Sequence, residues 1–355
     1  MENIRTEKAT VKKQKPSSKG IPFGHFFTDH MFLMNYDEGK GWYDPRIIPY
    51  GDVSLSPASM VFHYAQEVFE GMKAYRNPKG EILLFRPEQN IKRLNSSAER
   101  LCIPQISEDI FLRALKELII LDKDWVPSEP DTSLYIRPFV FATDPHLGVH
   151  ASKSYLFVVI MSPVGNYYPE GLNPVRIMIE DKDVRAVRGG TGHTKCGGNY
   201  AASLRAGECA EKEGYSQVLW LDGITRRNIE EVGAMNVMFK INGKVVTPEL
   251  NGSVLPGITR MSCIELLKTW GYIVEERVIS VDELVESIEN STLEEVWGTG
   301  TAAVISPIGE ISFEGKKYEI GSFKIGQLSQ RLYDALTGIQ WGKLEDKFSW
   351  TVKVC

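Results

Sequence analysis

Apolar residues along this chain alternate between two spacings, and each spacing predicts its own kind of element. Runs dense in β-branched and aromatic residues at His30–Tyr36, Glu81–Phe85, Leu134–Phe141 and Tyr155–Met161 predict strands. Two helices are predicted among them. Pro87 opens the first, which runs to about Leu101, and Ser107 caps the second, whose Ile110, Phe111, Ala114, Leu115, Leu118 and Ile119 share one face. A stretch with three prolines, PVGNYYPEGLNP, then interrupts the pattern at 163–174. Beyond it strands are expected at Val175–Glu180, Gln217–Leu221, Asn236–Lys240 and Lys244–Thr247, the last two joined by the hairpin dipeptide Asn242-Gly243. Helices are expected at Arg260–Trp270 and Ile325–Leu336, the latter with Ile325, Leu328, Leu332, Ala335 and Leu336 on a core-facing side. No internal repeat is visible. The chain thus reads as α+β with two domains: a mobile tail at 1–18, a small α/β domain at 19–163, a connection at 164–174 and a large domain at 175–355.

Bulk properties narrow the partners. At 355 residues and 43% hydrophobic content the chain can bury two cores, since single cores stop growing near roughly 250 to 300 residues. A net charge of −5 with scattered basic residues gives no nucleic-acid footprint. The longest apolar run, SYLFVVIM, is too short for the roughly 18 residues that span a bilayer, so no membrane partner is expected. The lysine-rich N-terminus lacks the apolar core of a secretory signal. Five cysteines without a C-x-x-C spacing form neither a disulfide framework nor a zinc site, which points to a reducing, cytoplasmic setting and to no metal. The expected partner is a small molecule.

The chemistry concentrates at GGTGHTKCGGNY, residues 189–200, where five glycines surround Lys195 and let backbone approach a ligand closely. A phosphate loop is excluded, because Thr194 stands where its last glycine belongs and Cys196 where its hydroxyl belongs. A dinucleotide fingerprint fails too, with Lys195 in its third glycine slot. What remains is a lysine used covalently or a lysine in a turn. An amine with an ordinary pKa of about 10.4 needs desolvation or a carbonyl partner to react at neutral pH. If that partner is pyridoxal phosphate, the site also needs an anion clamp, a carboxylate for the ring nitrogen and a hydrogen bond to the phenolic oxygen. Glu231, in EEVGAMN, lies in a small, apolar stretch where a buried carboxylate would need a cation, although a surface position suits it equally. LPGITR places the N–H groups of Ile258 and Thr259 at a helix start suited to phosphate, or to ordinary capping by Thr259. GTGTAA, 298–303, offers further N–H donors.

Six motifs then occur in order: FEGMKAY, SLYIRP, KCGGNYAAS, EVGAMN, LPGITR and GTGTAA. Together they resemble the branched-chain amino acid aminotransferases, from Phe23 through the last helix. The resemblance implies the type IV fold of pyridoxal-phosphate enzymes (D-amino acid aminotransferase-like). It also implies a homodimer whose active sites lie between the two domains and are completed by the partner subunit. By this likeness Lys195 is the Schiff-base lysine and proton shuttle, Glu231 the ring-nitrogen partner and Tyr200 the phenolic-oxygen donor. Arg93 joins Ile258 and Thr259 on the phosphate, Arg185 supports the cofactor, and the N–H groups of Thr301 and Ala302 hold the substrate carboxylate. Phe23 and Tyr135, with Tyr64, Leu147 and Val149 of the partner subunit, form an apolar wall for leucine, isoleucine or valine. Arg137 with the Tyr64 hydroxyl then receives the second carboxylate of glutamate. The implied activity is reversible, ping-pong transfer of the amino group to 2-oxoglutarate.

Three positions depart from better-known relatives. Ala303 and Ser306 occupy the redox C-x-x-C slots of mammalian members, and Ala234 replaces a threonine. The alternatives are a D-amino acid aminotransferase, an aminodeoxychorismate lyase, or a protein that binds the cofactor without turnover.

Overall fold

Ser154–Val164, SYLFVVIMSPV, is almost continuously apolar and is the strand around which the first of two sheets assembles. In the computed structural model, which describes residues 3–17, 20–165 and 172–355, the chain divides into two compact units. The first comprises Met1–Pro169, Thr194–Gly197 and Gly338–Cys355, and the second Glu170–His193 and Gly198–Thr337. Lys195 therefore belongs to the first unit while most of its glycine-rich flank belongs to the second. Of the connection expected at 164–174, residues 166–171 lie outside the described residues.

The strands of the first unit are β1 (Arg5–Thr6), β2 (His30–Asp37), β3 (Gly41–Pro49), β4 (Glu67–Phe69), β5 (Met72–Arg76), β6 (Ile82–Phe85), β7 (Ser133–Ala142) and β8 (Ser154–Val164), with Thr351–Lys353 closing the sheet beside β6. They lie in the order β1-β3-β2-β8-β7-β5-β6, and β4 also pairs with β7. β4 and β5 keep one register against β7, Phe69 opposite Phe139 and Met72 opposite Ile136, which sets Pro138 facing the gap between them. The Glu70 N–H still donates to the Pro138 carbonyl at 2.7 Å, but proline has no N–H to return, so the ladder is interrupted at Glu70 and Gly71. Three helices belong here: α1 (Met60–Tyr64), α2 (Pro87–Arg100) and α3 (Glu108–Leu121). The predicted face of α3 is buried at Phe111, Ala114, Leu115, Leu118 and Ile119, with Phe111 stacked 6.2 Å from Phe157 of β8. Ser107 stands at the N-cap of α3 but makes no side-chain capping bond; Glu108 and Asp109 supply the negative charge at that end instead.

The N-terminal segment differs from the mobile tail expected. β1 pairs in parallel with β3, Arg5 opposite Arg46 and Thr6 opposite Ile47. The Ala9 N–H then donates to His30 Nε2 at 2.9 Å, and the Lys13 N–H to Asp29 Oδ1 at 2.8 Å. Lysine side chains add to this hold, Lys13 Nζ donating to the Thr28 carbonyl and Lys15 Nζ to the Asp124 carbonyl, each at 2.9 Å.

The second unit contains β9 (Val175–Glu180), β10 (Gln217–Leu221), β11 (Ile229–Val232), β12 (Met235–Ile241), β13 (Lys244–Thr247), β14 (Val274–Glu276), β15 (Leu293–Gly300), β16 (Val304–Phe313) and β17 (Lys316–Glu319). Their order is β11-β10-β9-β16-β15-β12-β13-β14, and an added β11–β12 pairing closes six strands into a ring. Asn242 and Gly243 both take positive φ, 50° and 75°, as a two-residue hairpin turn between β12 and β13 requires. Helices α4 (Gly197–Ala201), α5 (Leu204–Lys212), α6 (Ile258–Thr269), α7 (Val281–Glu289) and α8 (Gln327–Gln340) complete the chain, α4 beginning and α8 ending in the first unit. No helix among the described residues is long and apolar enough to cross a membrane.

Candidate active site

In the first unit, the lapse opposite Pro138 frees Glu70 to turn its carboxylate inward. That carboxylate is fully buried and forms a bidentate pair with Arg93 on α2, Nε to Oε1 at 2.7 Å and Nη2 to Oε2 at 2.9 Å. Asn90, one helical turn earlier, donates to the same Oε2 at 2.7 Å. Lys195 lies beside this cluster. Its N–H donates to Ser97 Oγ at 3.0 Å, its carbonyl accepts from the Phe69 N–H at 2.9 Å, and its amine rests 4.6 Å from the centre of the Phe69 ring. Burial chiefly, with Arg93 and Arg137 adding and Glu70 and Tyr135 opposing, lowers the amine's pKa to about 8. Desolvation thus supplies what a nucleophilic lysine needs.

Tyr135 and Arg137 stand next to each other on one face of β7, and Arg137 Nη2 donates to the Tyr135 hydroxyl at 2.9 Å. The Arg137 guanidinium lies 4.6 Å from the Phe69 ring centre, so Lys195 and Arg137 share one aromatic support. Phe23 packs edge-on against Tyr135 with ring centres 4.8 Å apart. A Cβ at Gly71 would meet the Tyr135 hydroxyl and ring, so glycine here lets the phenol keep its place. The Gly197 N–H donates to Glu67 Oε1, and burial raises the Glu67 pKa against that bond and Arg137. Tyr64, Leu147 and Val149 are exposed, Leu147 by 67% and Val149 by 84%, far more than an apolar side chain in a packed wall.

In the second unit, Glu231 on β11 is buried, accepts the Leu255 N–H at 2.6 Å and lies 3.4 Å from Arg185 Nε. It is not surface exposed. Arg185 Nη2 donates to the carbonyls of Gly192, at 3.2 Å, and Ser253. The EVGAMN and LPGITR motifs meet directly, since Asn236 Nδ2 donates to the Leu255 carbonyl at 2.8 Å. Gly257 is the N-cap of α6, where a Cβ would strike Asn236, so the helix begins at Ile258 and Thr259 with their N–H groups in its first turn. Tyr200 sits in α4, and Thr301 and Ala302 form the turn from β15 into β16. That turn ends at Val304, a β-branched residue held at φ 62°, a conformation that costs of order 1–3 kcal/mol. Thr299 Oγ1 is buried there without a hydrogen-bond partner.

Sequence reading missed Glu70, Ser97, Glu67 and the Phe69 ring. Glu70 and Phe69 lie in the FEGMKAY motif itself, but nothing local to that motif tells which distant residue the glutamate will pair with.

Residues 67–311 match the family described as amino-transferase class IV, and the chain belongs to that family. It is 56% identical over 353 residues to branched-chain-amino-acid aminotransferase 2 of Bacillus subtilis (strain 168), covering 99% of this chain and 97% of that protein. It is 54% identical to branched-chain-amino-acid transaminase 1 of the same organism, covering 99% of each. Among solved structures, the branched-chain amino acid aminotransferase of Escherichia coli aligns with a TM-score of 0.77 at 28% identity, over 92% of this chain and 99% of that one. A T.th. branched-chain amino acid aminotransferase with pyridoxamine 5′-phosphate aligns with a TM-score of 0.73 at 25% identity, over 91% and 98%.

Proposed function

We infer that this chain is a pyridoxal-phosphate-dependent branched-chain-amino-acid aminotransferase, moving the amino group of leucine, isoleucine or valine to 2-oxoglutarate. The observation that carries this is the Lys195 amine, buried and lowered to about 8, in a family of transaminases. The residues present fit the cofactor: a desolvated amine, a buried carboxylate at Glu231, an open helix start at Ile258 and Thr259, and an unpartnered buried hydroxyl at Thr299. When bound, pyridoxal phosphate supplies a carbonyl for the amine and an electron sink for the substrate α-carbon.

Lys195 would hold the cofactor through its amine and, with that amine free, would move a proton at the substrate α-carbon. Its lowered pKa leaves a useful fraction neutral near pH 7 to 8. Glu231, steadied by the Leu255 N–H and Arg185, keeps the ring nitrogen protonated. Tyr200 bonds the phenolic oxygen, while Arg93 and the N–H groups of Ile258 and Thr259 hold the phosphate. Thr301 also contacts the cofactor and, with Ala302, orients the substrate carboxylate through N–H groups. Phe23 and Tyr135, with the partner subunit's Tyr64, Leu147 and Val149, enclose a branched side chain and exclude water. One methylene changes affinity by only about 1–3 kcal/mol in such a pocket, so all three branched substrates react. Arg137 takes the second carboxylate of glutamate.

The exposure of Leu147 and Val149 supports a homodimer, and five free cysteines support a cytoplasmic setting. Spectroscopy of the loaded protein tests the assignment. Leucine should bleach the long-wavelength band of the bound cofactor, 2-oxoglutarate should restore it, and D-alanine should do neither. A band that ignores leucine, or a Lys195→Ala variant with ordinary turnover, overturns the reading.

A further inference from the structure

Two neighbouring carboxylates on β11 point to opposite faces of the strand, yet both reach the same segment of chain, 251–255. Glu231 takes the Leu255 N–H. Glu230, only 3% exposed, takes the Ser253 hydroxyl and, at 3.4 Å, the Asn251 amide. The carbonyl of that same Ser253 accepts from Arg185, which pairs with Glu231. A continuous path therefore runs from Glu230 through Ser253 to Arg185 and Glu231.

Stability alone does not explain Glu230. Its Oε2 is buried with no hydrogen-bond partner, beside a cavity of about 170 Å³ also bordered by Asp222, Asn228 and Asn251. A half-satisfied buried carboxylate is a net burden to the fold, and an apolar residue would serve packing better. What Glu230 does deliver is a second anchor for Ser253, whose hydroxyl and N–H also reach Asn251 Oδ1 at 2.6 and 2.9 Å. The space around that residue is already tight, because a Cβ on Gly192 would strike both Ser253 and Ala186.

We propose that Glu230 is a positioning residue for transamination: through Ser253 it holds segment 251–255 so that Leu255 and Arg185 keep Glu231 oriented and ionised toward the cofactor ring nitrogen. This rests on the role given to Glu231 above. Partners directly behind metal ligands are worth about 10- to 100-fold, and Glu230, which reaches Glu231 only through Ser253 and Arg185, is expected at the low end of that range.

The test uses the full-length chain, loaded with pyridoxal phosphate and cofactor-free, as wild type, Glu230→Ala, Glu230→Gln, Ser253→Ala and Glu231→Gln. Amide hydrogen exchange across 251–255 should quicken about tenfold in Glu230→Ala and Ser253→Ala with or without cofactor, and stay near wild type in Glu230→Gln, whose amide oxygen still accepts from Ser253. In the loaded protein, kcat with leucine should fall about tenfold at unchanged KM, and the pH dependence of the cofactor band should shift. The double variant Glu230→Ala/Ser253→Ala should be no worse than either single one. Unchanged exchange overturns the tie itself, and faster exchange with an unaltered spectrum and kcat overturns its relevance to Glu231. If Glu231→Gln keeps full activity, the role of Glu231 falls and the proposal with it, a result distinct from both. Should Glu230→Ala fail to fold, Ser253→Ala, which removes only a hydroxyl, carries the same expectations.

Discussion

Arg93 and Glu70 form a buried bidentate pair, 2.7 and 2.9 Å, joining α2 to the interruption between β4 and β5, beside the residue on which the Lys195 amine rests. The pair fixes the guanidinium's plane and biases the amine in opposite directions, Arg93 lowering and Glu70 raising its pKa. Breaking it from one side takes a buried carboxylate away from a buried cation. Glu70→Ala should lower unfolding free energy by about 3–5 kcal/mol, and Glu70→Gln by less. Urea denaturation at pH 7 measures both, and a change under about 1 kcal/mol for the alanine variant would mean that water replaces the carboxylate at no penalty.

Burial of Lys195 makes stability depend on alkaline pH. Its folded pKa, about 8, lies below the ordinary unfolded value of about 10.4, so between these the unfolded chain binds a proton that the folded chain does not. Stability of the cofactor-free protein should therefore rise with pH from about 8 to about 10.4, and the full penalty of a charged buried amine applies below that window. Lys73, likewise lowered by burial to about 8, contributes in the same sense. Lys195→Met should remove its own share of the rise, on the order of 3 kcal/mol. Parallel pH–stability curves for the variant and wild type would contradict a depressed Lys195.

Legibility followed locality. Lys195 and Glu231 stood out because glycine density and an acidic residue in a small, apolar stretch are read from a few neighbouring positions. Most of the predicted strands and helices formed for the same reason. β15 and β16 were not read, because Gly298, Gly300, Pro307 and Gly309 dilute the apolar pattern that the sheet nevertheless buries. Glu70 lies 23 positions from Arg93, and an ion pair across that gap has no signature in either segment. The N-terminal segment misled because lysine content reports on side chains, whereas β1 is held by its backbone.

Gly71 should set the position of Tyr135. A Cβ at 71 would meet the phenol, so Gly71→Ala must displace the ring, disturbing its packing against Phe23 and its hydrogen bond from Arg137. KM for leucine should rise about tenfold or more, equivalent to roughly 1–3 kcal/mol. Adding Tyr135→Phe removes the hydroxyl that the new methyl strikes and should recover part of the loss. Steady-state kinetics of the two variants decides it, and an unaffected Gly71→Ala would show that Tyr135 yields freely.

Removal of residues 1–17 should weaken the first unit. His30 Nε2, Asp29 Oδ1 and the Thr28 carbonyl would lose Ala9 and Lys13 as partners, each bond being worth about 1 kcal/mol. A fall in Tm of roughly 5 to 10 °C is expected by calorimetry. An unchanged Tm would mean that the segment only lies along the sheet.

The same segment occupies the outer flank of β3, which without it would be the terminal strand of its sheet. A bare terminal strand offers a row of amides and carbonyls on which another chain can add itself. Here β1 pairs for only two residues, and a polar run carrying Lys8, Lys12 and Lys13 follows it. Such a covering gives a second molecule little to extend. Those first residues thus leave β3 covered along part of its length rather than bare.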